Sequence, residues 1–312
     1  MLTLVVPVYK NEGSLPDLLE AVARMSQQLA GDMEAVFVVD GSPDRCFEIL
    51  RAELPKRPLR SKLILLARNF GSFAAIRTGL QHGDGERFAV MAADLQEPPD
   101  LVEEMDRLLR EDAADVVVGV RESRQDPFFS SLPARIFWAL YRRYVLPEMP
   151  PGGVDMFGCN RKFRDTLLQL NESHTSLIAQ IFWLGFRRAE VSYARRARSH
   201  GVSAWTLSKK FSYLMDSVFA FTDLPIRMLI RTGAIGTAAA ALFGVVVIVG
   251  RLIGTIAVPG YAMTAMLIVF FSALNLLSLG IVGSYAWRAY ENTKSRPLAV
   301  ALRVERFDPL RA

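Results

Sequence analysis

The chain has 312 residues, 51% of them hydrophobic and 22% charged, with a mean hydropathy of +0.21 and a formal net charge of +5. These values exclude a disordered chain, a collagen and a small disulfide scaffold, and two cysteines, Cys46 and Cys159, are too few for a cysteine-rich metal site. High hydropathy beside an ordinary share of charge implies a soluble domain joined to a strongly apolar segment; the modest basic surplus suits phosphates or acidic lipids, and no nucleic-acid partner is expected.

Leu2–Val8 is a short apolar, β-branched run and is predicted as a strand. The stretch Met1–Lys10 lacks a basic leader and is broken at Pro7, so it is not read as a signal peptide. Leu15, Leu18, Leu19, Val22 and Met25 then share one helical face. Further strands are predicted at Ala35–Val39, Lys62–Leu66, Phe88–Met91 and Asp115–Val118, with helical patterns around 43–54, 72–83 and 99–111. Strands that read as continuous apolar runs, alternating with helices, imply an α/β fold with a mostly parallel, Rossmann-like sheet covered on both faces. Ligands of such sheets bind beyond the C-terminal strand ends.

The residues just past those strands are polar: Pro7 to Glu12, Asp40 to Asp44, Arg68 to Gly71, Asp94 to Pro99, and Gly119 to Arg121 with Arg124 close by. They offer carboxylates for a hydroxylated or metal-bound ligand and arginines for phosphates. No glycine-rich dinucleotide fingerprint follows the first strand, and there is no Walker loop. Taken singly, Asp40, Asp94 and Asp155 also suit helix or turn caps, and Arg68–Asn69 suits a surface turn. His82, His174 and His200 show no ligand spacing.

In the middle of the chain, Phe128, Phe129, Leu132, Ile136, Phe137, Leu140 and Tyr144 form an apolar helical pattern, either lying in a membrane interface or packed on the sheet. Segment 187–210 carries Arg187, Arg188, Arg195, Arg196, Arg198, Lys209 and Lys210 against Glu190 alone, a basic collar suited to an anionic leaflet or simply a solvated face. Trp205 suits headgroup level, a second interfacial helix is predicted from Leu207 to about Phe221, and Asp223-Leu224-Pro225 reads as a hinge. No charge lies between Arg231 and Arg251, nor between Arg251 and Arg288, and Pro259-Gly260 breaks the second run. Two transmembrane helices are therefore predicted, 230–256 and 262–287, in preference to a buried soluble hairpin. Gly233, Gly236 and Gly244 suit tight helix–helix packing and allow a homo-oligomer such as a tetramer. Arg227 and Arg231 before the hairpin and Arg288, Lys294 and Arg296 after it put both ends in the cytoplasm. The expected division is a cytoplasmic domain over 1–206, juxtamembrane helices over 207–229, the hairpin over 230–287 and a cytoplasmic tail over 288–312.

Six segments in register, VVPVYKNEGSLPDLL, VDGSPD, ARNFGSFAAIRTGL, AADLQEPPDLV, VDMFGCNRKF and RRARSHGVSAWTLSKKF, followed by the hairpin, resemble the family 2 glycosyltransferases with the GT-A fold. The nearest group is the polyprenyl-phosphate glycosyltransferases, such as dolichol-phosphate mannose synthase and the bacterial undecaprenyl-phosphate sugar transferases. The resemblance implies inverting transfer of one sugar from a nucleotide-sugar donor, a UDP-sugar favoured, to a polyprenyl phosphate, aided by Mg²⁺ or Mn²⁺, in a multi-pass protein of the bacterial inner membrane. By the same resemblance Pro7, Tyr9, Glu12, Asp40 and Arg68 line the nucleotide pocket. Asp94 ligates the metal with Gln96 as second ligand, and Asp155 stands near the reacting centre. Arg121, Arg124, Arg198 and Ser203 hold the donor diphosphate or the lipid phosphate.

Two positions depart from the family pattern: Val39 precedes Asp40 where a second aspartate is common, and Ala92 stands where the metal segment usually has its first aspartate. An active enzyme is nonetheless expected, because the second aspartate, Asp94, is kept. The alternatives are a degenerate, non-catalytic scaffold and a processive polysaccharide synthase. Two spans and the lack of a Gln-x-x-Arg-Trp motif weigh against the synthase.

Overall fold

The computed structural model describes residues 1–121, 141–143, 146–150, 153–195, 215–253 and 260–308. Arg124, Arg198, Ser203, Trp205 and most of the apolar pattern 128–144 lie outside these residues.

Strands and helices alternate through the first 121 residues: β1 (Leu2–Val8), α1 (Leu15–Gln28), β2 (Met33–Val39), α2 (Cys46–Glu53), β3 (Arg60–Leu66), α3 (Ser72–His82), β4 (Arg87–Val90), α4 (Asp100–Arg110) and β5 (Val116–Arg121). β6 (Val154–Asn160), α5 (Arg161–Gln169), α6 (Leu177–Trp183) and β7 (Arg188–Tyr193) complete the domain's main body. The eight strands found among the described residues, the last being β8 (Ala301–Phe307), form one sheet in the order β7-β5-β6-β4-β1-β2-β3-β8. β3, β2, β1 and β4 run parallel, β6 runs antiparallel between β4 and β5, and β7 pairs parallel with β5.

The strand sequences are apolar on both sides because both faces are covered. Alternate residues of β1 point to opposite faces: Leu4, Val6 and Val8 join Leu18, Leu19, Val22, Leu50 and Met105 from α1, α2 and α4. Val5 joins Ile76, Leu80, Phe163, Leu167 and Ile178 from α3, α5 and α6. Tyr141, beside the apolar pattern 128–144, is fully buried in this second cluster. The chain winds outward from β1 through β2 to β3 and then returns to β4 on the other side of β1. That reversal opens a crevice at the C-terminal ends of β1 and β4.

After the helical residues 215–221 the chain breaks at Thr222 and Asp223 and enters α7 (Leu224–Leu252), which pairs with α8 (Tyr261–Thr293). Pro225 sits in the first turn of α7, where its missing N–H leaves no helical bond unmade. Each helix contains a 24-residue stretch, Leu224–Val247 and Phe270–Thr293, long and apolar enough to cross a membrane. Their apolar side chains, among them Ile230, Leu242, Leu276 and Leu279, are exposed, unlike those of a buried soluble hairpin. Both helices outrun the expected 230–256 and 262–287 at their charged ends. There they dock on the domain: Arg288 pairs with Asp216 at 2.8 Å, Tyr285 Oη donates to the Thr222 carbonyl at 3.2 Å, and Asn292 Oδ1 accepts from the Ser173 N–H at 3.0 Å.

The segment 288–312, expected as a tail, is partly sheet. Ala301–Phe307 forms β8, antiparallel to β3 on the sheet's outer edge, and Glu305 there pairs with Arg51 of α2 at 3.0 Å. α3 approaches β1 through Gly79, where a Cβ would lie 2.2 Å from Val5 Cγ1 and 3.2 Å from Val38 Cγ2. Gly79→Ala is expected to destabilise the domain by about 1–3 kcal/mol through overpacking, although alanine is the better helix former; a lower melting temperature of the full chain in detergent checks this.

Candidate active site

The turns that end β1 and β2 are sewn together. The Lys10 N–H donates to Ser42 Oγ at 2.8 Å, Ser42 Oγ donates to Asp44 Oδ1 at 2.6 Å, and the Glu12 N–H donates to Asp44 Oδ2 at 3.3 Å. Arg45 closes the seam: its side chain donates to Glu12 Oε1 at 3.1 and 2.9 Å and its backbone N–H to Oε2 at 3.2 Å. The Arg45 hydrogen bonds hold Glu12 below the usual carboxylate range. Pro7 and Tyr9 sit half-buried at the exit of β1.

Asp40 ties the second turn to the third. It is 2% exposed and accepts from the Phe70 N–H at 2.7 Å and the Gly71 N–H at 2.9 Å, just ahead of α3. Burial raises its pKa, and those two N–H groups together with Arg68 pull against the rise. The two turns touch because Gly41, at φ +54°, has no side chain: a Cβ there would stand 2.3 Å from the Arg68 carbonyl carbon. Arg68 itself stacks over the Phe70 ring at 4.3 Å.

On the other side of the crevice, acidic and basic groups crowd together. β5, β6 and β7 present Arg121, Asp155 and Tyr193 side by side. Arg121 grips Asp155 with two nitrogens, Nη2 to Oδ1 at 2.6 Å and Nε to Oδ2, and Tyr193 Oη donates to Asp155 Oδ2 at 2.7 Å. The turn after β4 supplies Asp94, Gln96 and Glu97, and its Leu95 is held at φ +52°, a left-handed conformation that costs a branched residue about 1–2 kcal/mol. Ser14 Oγ steadies this turn by donating to the Ala93 carbonyl at 2.9 Å. Glu97 is 2% exposed, and burial, then Asp155 and Asp94, push its carboxyl up to about 7 while Arg195 pulls it down. Arg195 Nη2 lies 3.8 Å from Glu97 Oε1 and donates to Gln96 Oε1 at 2.6 Å.

The structure thus brings Pro7, Tyr9, Glu12, Asp40 and Arg68 to one rim of the crevice and Asp94, Gln96, Arg121 and Asp155 to the other. Three of them are engaged differently from expectation. Gln96, expected as a metal ligand, spends its oxygen on the Arg195 guanidinium, which repels a cation. Arg121, expected on a phosphate, clamps Asp155. Asp40, expected on the base, has both oxygens taken by backbone N–H groups. Arg124, Arg198 and Ser203 lie outside the described residues. Glu97, Tyr193 and Arg195 were missed as members of the cluster; Arg195 was noticed only as part of a basic run. Charge-assisted hydrogen bonds are worth about 1.5–3 kcal/mol each, so Asp40→Ala is expected to speed amide exchange at Phe70 and Gly71 at least about tenfold while β1 and β2 stay protected. Hydrogen-exchange mass spectrometry reads this directly.

The family model described as glycosyl transferase family 2 matches residues 3–170. The glycosyltransferase YkcC of Bacillus subtilis (strain 168), itself uncharacterised, is 31% identical over 299 residues, covering 96% of this chain and 92% of its own. The undecaprenyl-phosphate 4-deoxy-4-formamido-L-arabinose transferase of Pseudomonas aeruginosa (strain LESB58) is 31% identical over 315 residues, 99% of this chain and 91% of its own. Among solved structures, glucosyl-3-phosphoglycerate synthase from Mycobacterium tuberculosis in complex with Mn²⁺, uridine diphosphate and glucosyl-3-phosphoglycerate superposes with a TM-score of 0.42 at 19% identity, over 65% of this chain and 73% of its own. With its parallel sheet, its strand-end carboxylates and a family match over more than half its length, this chain belongs to glycosyl transferase family 2.

Proposed function

We propose that the protein transfers one sugar from a nucleotide-sugar donor, with a UDP-sugar favoured, to a polyprenyl phosphate at the membrane surface, inverting the anomeric carbon. The observation that carries this reading is a strand-end site with facing carboxylates on a domain to which two apolar, exposed helices are docked. A relative named for an undecaprenyl-phosphate acceptor, matching over 99% of the chain, supports the same acceptor here. Arg227, Arg231, Arg288, Lys294 and Arg296 flank the hairpin and favour the cytoplasmic face of the bacterial inner membrane for the domain.

In this mechanism the nucleoside lies against Pro7 and Tyr9, in a pocket whose rim is kept in shape by the Glu12–Arg45 and Asp40–Gly71 contacts. An oxygen of the lipid phosphate bonds to the anomeric carbon as the bond from that carbon to the nucleoside diphosphate breaks. A phosphate monoester is already anionic near neutral pH and needs no strong base. Asp155, held in one orientation by Arg121 and Tyr193, therefore shapes the reacting centre and orients the acceptor. Arg195 brings positive charge beside the diphosphate, and Arg124, Arg198 and Ser203 are assigned to the donor or acceptor phosphates.

Among the described residues no group of three or more carboxylate, histidine or cysteine side chains is placed to hold a metal by itself. Asp94 nonetheless fits a divalent ion that takes its remaining ligands from diphosphate and water, as Mg²⁺ sites commonly do. When bound, such an ion neutralises charge developing on the departing diphosphate. The Val39 and Ala92 departures are what favours a non-catalytic scaffold. Incubation with a panel of nucleotide sugars and undecaprenyl phosphate, followed by mass spectrometry of the lipid, tests transfer. A lipid monosaccharide is expected, a polymer would point to a synthase, and no product together with no nucleoside diphosphate binding would leave the scaffold. Asp94→Ala is expected to cut transfer by more than about a hundredfold at an unchanged melting temperature. Mn²⁺ alone should bind weakly and tighten more than about tenfold when UDP is added, because the ion lacks a protein-only cage; electron paramagnetic resonance of free Mn²⁺ measures this without turnover.

A further inference from the structure

A groove of about 700 Å³ opens where the domain meets the hairpin, and none of its lining residues belongs to the strand-end cluster. Glu172, Gln180 and Trp183 line it from the domain, and Asp223, Ile226 and Arg227 from the start of α7. Gln180 is 1% exposed; its Nε2 donates to Glu172 Oε2 at 3.1 Å, but its Oε1 is buried with no hydrogen-bond partner among the described residues. A buried carbonyl oxygen left without a donor is costly, and its residue lines a groove with room for a ligand. Two carboxylates, Glu172 and Asp223, stand around it. Arg227 is paired with Asp223 at 2.7 Å, and nearby Arg77 spends its guanidinium on Leu167, Leu168 and Asn171. The groove is therefore rich in acceptors and poor in free positive charge. Asp223 and Arg227 also sit at the start of the apolar stretch Leu224–Val247, with Trp183 (65% exposed) and Ile226 offering apolar surface in the same groove.

We propose that this groove binds a phospholipid headgroup carrying a primary ammonium, of the phosphatidylethanolamine class. The ammonium donates to Gln180 Oε1 and to the carboxylates of Glu172 and Asp223, the phosphodiester faces Arg227, and the acyl chains run along Ile226 and Trp183. A phosphomonoester such as the lipid acceptor's would meet two carboxylates here, so this is not the acceptor's phosphate site. A quaternary choline has no N–H to satisfy Gln180. The assignment rests on the hairpin lying in a bilayer and not on the identity of donor or acceptor.

The full chain is reconstituted into vesicles containing equal parts phosphatidylethanolamine, phosphatidylcholine and phosphatidylglycerol. It is then extracted, and its retained lipids are read by native mass spectrometry. Wild type should retain phosphatidylethanolamine over each of the others by more than about fivefold. Gln180→Met, close in shape but without the acceptor, should bring retention to parity, and exposed Asp223→Asn should lower the preference without touching the core. Equal retention of the three lipids, a preference for phosphatidylglycerol, a preference unchanged in both variants, or a second copy of the chain cross-linked across Trp183 in place of lipid would each overturn the proposal. Vesicle flotation separates the failures: a chain that floats without headgroup preference defeats this site alone, whereas one that does not float defeats the membrane reading as well.

Discussion

A sheet covered on both faces can carry polar chemistry only at its strand ends, and at this one several carboxylates that share the same edge must be neutralised. Each finds a different solution. Glu12 takes a guanidinium, Asp40 takes two backbone N–H groups, and Asp155 takes both Arg121 and Tyr193. Glu97, as buried as Asp40, keeps Arg195 at 3.8 Å, and its carboxyl is pushed up to about 7. The turns between strands and helices have their shapes because these pairings fix them. Gly41 and the left-handed Leu95 are the backbone's accommodation to that crowding.

The pairings also give the site a polarity. At the turns after β1 and β2 the contacts run mostly from backbone to side chain and hold the walls, leaving Pro7 and Tyr9 half-buried. At the ends of β4 to β7 they run between side chains, which an anionic ligand can re-partition. Arg121 and Arg195 are held by carboxylate and amide oxygens that an anionic ligand would compete for. A site built this way is close to electrostatic balance on its own, so the charge of an anionic ligand would be met by arginines released from their present partners.

What the sequence made legible follows from which rule each segment obeys. β1 to β5 are near-continuous apolar runs, so all five are recognisable, with ends shifted by at most three residues. β7 and β8 were missed because edge strands face solvent and their sequences, RAEVSY and ALRVERF, carry charge where a central strand carries valine. β6 was seen only as a motif, since it is interrupted by Asp155 and Gly158. The missed site residues follow from the missed strands: Tyr193 ends β7 and Arg195 lies just beyond it, where the strand-end rule would have found them had β7 been recognised. Glu97 lay inside a segment already singled out, but a burial that makes its carboxyl a weak acid is a property of packing and leaves no mark in composition. The pairings of Gln96 and Arg121 were equally invisible, because they join residues 99 and 34 positions apart.

The return of the chain to form β8 has a consequence for how the protein is made. The sheet contains residues from both before and after the hairpin, so the two apolar helices are an insertion into the domain and not an appendage at its end. During synthesis β3 waits with one edge unpaired until more than two hundred further residues have emerged, and an unpaired edge is a template for wrong partners. Synthesis of the hairpin therefore precedes closure of the sheet, and the last strand to form ties the chain beyond the hairpin back to the sheet that precedes it. The apolar hairpin and the completed sheet are in this way made in one fixed order.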